Sequence, residues 1–292
     1  MKIAYLIHYT QKNYDEITEN LDTLLDAGDD CYVIINDNNL RDDLMLAYVD
    51  EPRMHLIHKQ EAALPGDLSL ARGTILSIME ALDVEKANGI SYDAFINLTD
   101  GMIPVRPKKE LEAYLTKHEN EDIYHIETTS AEDPSLVKRF EEYAFFTNSI
   151  DFQSSKIIQG MNKLTASVVS NFKHRKLEDT LVLTYPWFVL RHESAQALYD
   201  HFSYCSENFK MCMYPEELAI GTILHKYSSA PHHNACLWAV NEDGNYQFEK
   251  PILNVSRDAL KKENTLFAGK MHSDDNFDLY QDYFDIYKEN LD

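Results

Sequence analysis

The chain has 292 residues, 44% of them hydrophobic, with 18 Tyr and 13 Phe, enough to bury a sizeable core and too apolar for a disordered chain. Its 27 Lys and Arg stand against 49 Asp and Glu, a net charge of −22. That balance argues against non-specific binding to nucleic acid or to an anionic membrane surface, and an anionic small ligand would need local cations or helix N-termini to outweigh it.

In chain order, "KIAYLIHYT" reads as a buried first strand, followed by an amphipathic helix from Tyr14 to Leu25. "CYVIIND" is a second strand closing on a polar turn, Asn36 to Asn39, and "MHLIHK" is a short third. Apolar spacing predicts a helix from Ser69, as N-cap, to Leu82, and "YDAFINLTDG" is a fourth strand ending in a turn. Strands alternating with helices over the first 115 residues predict an α/β fold, with a parallel sheet that binds ligand at its strand ends. Residues 131 to 180 read as irregular, aromatic-rich and carrying a small basic island, "KHRK". "TLVLTYPWFVL" returns to strand character, with Pro186 marking a bend or an edge. Helices follow over His192–Phe202 and Pro215–His225, and a C-terminal amphipathic helix over 273–292 docks on the body through Phe277, Tyr280, Phe284, Tyr287 and Leu291.

The four cysteines, Cys31, Cys205, Cys212 and Cys236, have no zinc-type spacing and fit a reduced, cytoplasmic setting. His8, His192 and His225 read as packing or surface residues, so no metal site is expected. The opening apolar run is too short for a signal segment, and nowhere do eighteen apolar residues follow one another.

Six segments, in order, carry a resemblance: "AYLI" before a helix, "SLARGTILSIMEAL", "INLTDGMIPVRPKKELEAYL", "TYPWFVLRHESAQAL", "YPEELAIGTIL" and "NTLFAGKM". Each alone is weak, but together they resemble the core-2/I-branching family (glycosyltransferase family 14), especially its bacterial members. The resemblance implies a GT-A-like (Rossmann-like) α/β fold over residues 1–272, with a nucleotide-binding half (1–115) and an acceptor and catalytic half (116–272). It implies transfer of a sugar from a UDP-sugar, with inversion and without a metal ion. No Asp-x-Asp pair of the kind that holds a cation on the donor diphosphate occurs anywhere in the chain.

Inverting transfer needs one carboxylate to take the proton of the attacking hydroxyl. The family motif puts that base at Glu217, with Glu216 beside it on the acceptor side. Without a family in view, Pro215, Glu216 and Glu217 are simply a good helix start, and one glutamate can serve both ends. The family's phosphate-binding lysine corresponds to Lys270. Its additional arginine is missing from "NACLWAV", leaving Arg257 as the substitute. Asn36 or Asp37, at the end of the second strand, would face the uridine, and Asp100 would supply a further carboxylate. Solvated turn residues are the equal alternative for these. Trp187 matches the family's acceptor-side tryptophan, with Tyr185 and Tyr214 as neighbours, because sugar C–H faces suit aromatic platforms; core packing is the even alternative for Trp187.

The donor expected first is UDP-N-acetylglucosamine, then UDP-xylose or UDP-galactose. The acceptor is a hydroxyl of a glycan or lipid-linked oligosaccharide, through which the protein would associate peripherally with the inner face of the membrane. The alternative is a non-catalytic relative that binds glycan or scaffolds another transferase.

Overall fold

The structure, a computed structural model, describes residues 1–10, 13–58, 61–99, 101–149, 155–170, 175–239, 265–269 and 285–289. The strands in chain order are β1 (Ile3–Tyr9), β2 (Asp30–Ile35), β3 (Met54–Leu56), β4 (Ala94–Thr99), β5 (Ile103–Pro104), β6 (Asp122–Thr129), β7 (Val182–Leu190), β8 (His232–Asn234), β9 (Trp238–Ala239) and β10 (Phe267–Ala268). The helices are α1 (Tyr14–Asp26), α2 (Asn38–Ala47), α3 (Leu68–Asn88), α4 (Lys108–Lys117), α5 (Ser135–Glu141), α6 (Lys156–Ser170), α7 (His192–Asp200), α8 (Phe202–Asn208) and α9 (Ala219–Tyr227). Among the described residues, none of these helices is long and apolar enough to cross a membrane.

Seven strands form one sheet in the order β3-β2-β1-β4-β7-β6-β8, and β5, β10 and β9 form a small second sheet. β1, β2, β3 and β4 pair in parallel, the arrangement expected from the alternating first half. β7 is antiparallel to both of its neighbours, β4 and β6, so β6 runs in the same direction as β1 and β4. The C-terminal ends of β1, β2, β4 and β6 and the start of β7 therefore meet at one pole.

Side chains alternate along each strand, so the sheet carries a core on both faces. Ala4 and Leu6 of β1 pack under α3, α7, α8 and α9, whereas Ile3, Tyr5, Ile7 and Tyr9 pack under α1, α2 and α4. Of the tail only residues 285–289 are described, helical over 285–288, with Tyr287 fully buried, its hydroxyl 2.7 Å from that of Tyr5 and donating to Asp29 at 3.2 Å; Phe277, Tyr280, Phe284 and Leu291 lie outside the described residues. Lys108 lies 2.8 Å from the same Asp29, so this buried carboxylate has a cation and a donor to offset its desolvation.

Several boundaries differ from the sequence expectation. α3 is capped by Asp67, whose carboxylate accepts from the Ser69 N–H, and it runs on to Asn88, where Gly89 takes the left-handed conformation that ends it. The "turn" at Asn36 to Asn39 is the start of α2, with Asp37 as N-cap. Residues 131–180 contain α5 and α6, not irregular chain only. The helix expected from Pro215 is a 3-10 turn, Pro215–Glu217, followed by α9. Pro186 marks a bend, as expected, but inside the sheet: the β6–β7 register shifts between Tyr124↔Phe188 and Ile126↔Thr184, so β7 bulges around the proline. There the Asn97 side chain takes up backbone groups that the bulge leaves off the ladder: its amide donates to the Pro186 carbonyl, and its oxygen accepts from the Phe188 N–H at 2.6 Å.

Candidate active site

The 3-10 turn sits at the pole where the parallel strands end. Thr184 of β7 donates to the Glu217 carbonyl at 3.4 Å, and α9 lies so close behind that a Cβ on Gly221 would come within 2.5 Å of the Thr184 methyl. Tyr214, just before the turn, is held at φ 49, a left-handed conformation costly for a residue with a Cβ, and Pro215 supplies the fixed φ of the first turn residue. The two neighbouring glutamates are thereby sent into different surroundings.

Glu216 is buried. Its Oε1 accepts from the Gly66 N–H at 2.7 Å, which the positive φ of Gly66 (82) directs at it. Among the described residues its Oε2 has no hydrogen-bond partner, and it lies at a cavity of about 20 Å³ lined also by His8, Asn97 and Thr99. That volume is room for about one water. Desolvation pushes the Glu216 carboxyl up to about 8, so at neutral pH it is largely protonated. It therefore joins the turn to the loop before α3, and does not present an ionised group to an acceptor.

Glu217 faces the other way, into a cleft of about 1000 Å³ between α5, α6 and residues 213–217. Its Oε2 lies 2.5 Å from Arg139 Nη2, in a pair that is partly shielded from water. Burial raises its carboxyl above the ordinary range, with Arg139 opposing that rise and Glu127 adding to it. Arg139 had no motif to announce it; it reaches Glu217 from α5, 78 residues away in sequence.

The aromatic residues divide. Tyr214 lines the cleft beside Glu217, and the Arg139 guanidinium lies 5.7 Å from its ring centroid. Trp187 is core: it is 3% exposed and stacks 6.1 Å from Trp238, so of its two expected roles packing is the one its position allows, and it has no face for a sugar. Tyr185 is half-buried over His125, at 4.5 Å, away from the Glu217 cleft. Asn36 is exposed just after β2, while Asp37 spends its carboxylate on capping α2, accepting from the Asn39 and Leu40 N–H groups. Asp100, Arg257 and Lys270 lie outside the described residues. Gly269, next to Lys270 in the chain, fits tightly against the turn after β4: a Cβ there would be 2.5 Å from the Met102 side chain and 3.3 Å from the Gly101 carbonyl. His8 is buried at the cavity, His192 lies 3.1 Å from Glu85, and His225 is exposed.

Glu216→Gln should change the pH dependence of stability and little else. A carboxyl raised from about 4.5 in the unfolded chain to about 8 in the fold binds its proton more tightly when folded. Its contribution to stability is full below pH 4.5 and is lost as pH rises toward 8. Asp29 and Asp122, each pushed up to about 6, act in the same direction, so the difference between wild type and variant isolates Glu216. Thermal melts from pH 5 to 8 should show the variant gaining on the wild type as pH rises; parallel curves would contradict this.

No protein-family model matches the chain, and a search of the curated proteins finds no match.

Proposed function

We propose that the chain is an inverting, metal-independent glycosyltransferase of the core-2/I-branching type, on a GT-A-like fold. It would move a sugar, first of all N-acetylglucosamine, from a UDP-sugar to a glycan hydroxyl. The observation that carries this reading is the Glu217 carboxylate, partly buried, paired with Arg139, and opening on a large cleft between α5, α6 and residues 213–217. The six motif segments in family order support it. Glu217 takes the acceptor proton while the freed oxygen electrons attack the anomeric carbon and UDP departs with the electrons of the old bond. Arg139 keeps the base ionised against its desolvation, and Tyr214 offers an aromatic wall to the acceptor. Lys270 and Arg257 are assigned to the departing diphosphate, in place of a cation.

A non-catalytic, glycan-binding role is the second reading, favoured by the absence of arginine from "NACLWAV". The two separate on one experiment. With a UDP-sugar panel in EDTA, the transferase reading predicts thermal stabilisation and UDP release on adding glycan acceptors. Stabilisation without release selects the second reading, and release only with Mn²⁺ contradicts metal independence.

Action at the inner face of the membrane on a lipid-linked acceptor is supported by α6, the far wall of the cleft. Its Ile157, Met161, Leu164 and Val168, at steps of four and three, all face solvent. The chain from Phe152 to Leu177 has no Asp or Glu, and Lys156, Lys163 and Lys176 are exposed. This local reversal of the overall charge suits an anionic lipid surface. Co-sedimentation should be stronger with phosphatidylglycerol vesicles than with phosphatidylcholine vesicles, and Leu164→Asp should abolish it; equal pelleting with both lipids would contradict the charge argument.

A further inference from the structure

At the pole opposite Glu217, α4 ends and β6 begins. His118 closes α4, Glu121 lies in the turn before β6, and His233 comes from the edge strand β8. One ring nitrogen from each histidine and one Glu121 carboxylate oxygen lie within 4.8 Å of one another. His118 Nδ1 is 2.6 Å from Glu121 Oε2, and the two imidazoles stack with centroids 4.3 Å apart and planes 24° apart.

The backbone beneath this cluster is fixed by other bonds. The Glu121 N–H donates to the His118 carbonyl at 3.0 Å, and Arg191 donates to the same carbonyl at 2.8 Å. Parallel pairing of β8 with β6 sets Ile123 against His233, which holds that ring beside His118. His232 points elsewhere, with Nε2 2.8 Å from the Tyr124 carbonyl oxygen and its ring stacked on Tyr124.

We propose that His118, Glu121 and His233 form a site for a divalent transition-metal ion, with zinc the best match. Two imidazoles and one carboxylate are a borderline donor set that suits zinc, whereas Mg²⁺ and Ca²⁺ prefer oxygen donors alone. Ligands around tetrahedral zinc stand roughly 3.3 Å apart, given bonds of about 2.0 Å. The His118–Glu121 contact at 2.6 Å and the 4.8 Å limit on the whole cluster bracket that spacing, and binding requires the stacked rings to turn until both lone pairs meet at one ion. The fourth position is left to water. A metal here ties the edge strand to the end of α4 and serves the fold rather than the cleft at the other pole. No sequence spacing announces it, because 115 residues separate His118 from His233. The proposal stands apart from the glycosyltransferase reading.

The test uses the full chain, stripped with chelator. Titration with ZnCl₂ at pH 7.5, followed by calorimetry and thermal melting, should show one equivalent bound with a rise in Tm, and MgCl₂ should show neither. His233→Ala should weaken zinc affinity at least about tenfold, the loss that removing even an outer-shell partner can produce. Glu121→Gln, in an exposed turn, supplies a second variant should the first fail to fold. Co²⁺ should give the intense visible bands of a tetrahedral site in wild type and lose them in both variants. Absence of stoichiometric zinc binding, equal affinity for Mg²⁺, or variants that bind zinc as wild type does would each overturn the site.

Discussion

Glu217→Gln should lower the rate of sugar transfer by about two to four orders of magnitude, the usual worth of a positioned general base. UDP affinity should stay within a few fold, and the melting temperature should hardly change. The amide is the same size as the carboxylate, and its oxygen can still accept from Arg139, so the 3-10 turn and the cleft wall keep their shape. What is lost is the ability to take a proton. The pH profile supplies a second check. Burial holds the Glu217 carboxyl above its ordinary value, so activity should fall on acidification at a pH above the usual carboxylate range. Replacing Arg139 with Gln removes the main influence pulling that value down, and the acid limb should move to higher pH. A Glu217→Gln variant with wild-type turnover would show that another group takes the proton.

Arg191→Leu should destabilise the fold by about 3–5 kcal/mol, the cost of breaking a buried charge network on one side. Arg191 is buried between β7 and α7, and its guanidinium donates to four carbonyls: Asp93 at 2.6 Å, Leu115 and His118 at 2.8 Å, and Glu121 at 3.1 Å. Its own N–H donates to Asp122 at 2.7 Å, and Asp122 also accepts from the Ser194 hydroxyl. Leucine fills part of the volume but removes a donor from four carbonyls, of which that of His118 keeps the Glu121 N–H, and leaves Asp122 without its nearby cation. Lysine would carry the charge but could not span four acceptors, so Arg191→Lys should recover only part of the loss. Denaturant titration measures both variants, and an Arg191→Leu midpoint equal to that of wild type would contradict the network's weight.

The parallel half of the fold was legible because β1, β2 and β4 are short apolar runs between turn residues, a pattern with few other readings. α2 and α6 were not, for opposite reasons. α2 buries only Leu40 and Leu44, too few for a periodic signal. α6 turns its apolar stripe outward, so its pattern names no core partner. Pro186 announced the bend in β7, but not Asn97, which bonds the backbone there from 89 residues away on the neighbouring strand. The family resemblance puts the candidate base at Glu217, whereas the residues alone show only two adjacent glutamates in a helix-start pattern. What separates Glu216 from Glu217 is their burial and their partners, Gly66 and Arg139, and neither partner sits in a motif. Trp187 shows the reverse limit: an aromatic residue in a strand reads equally well as sugar platform or core, and only its stacking on Trp238 decides.

The central claim is that a donor nucleotide bound across the C-terminal ends of the parallel strands reaches over the 3-10 turn to the cleft that holds the Glu217 carboxylate. A crystal structure of the full chain with saturating UDP tests it most directly. UDP should lie across the ends of β1, β2 and β4, with its diphosphate turned toward Glu217. UDP bound at the opposite pole, or no UDP bound at all, would contradict it.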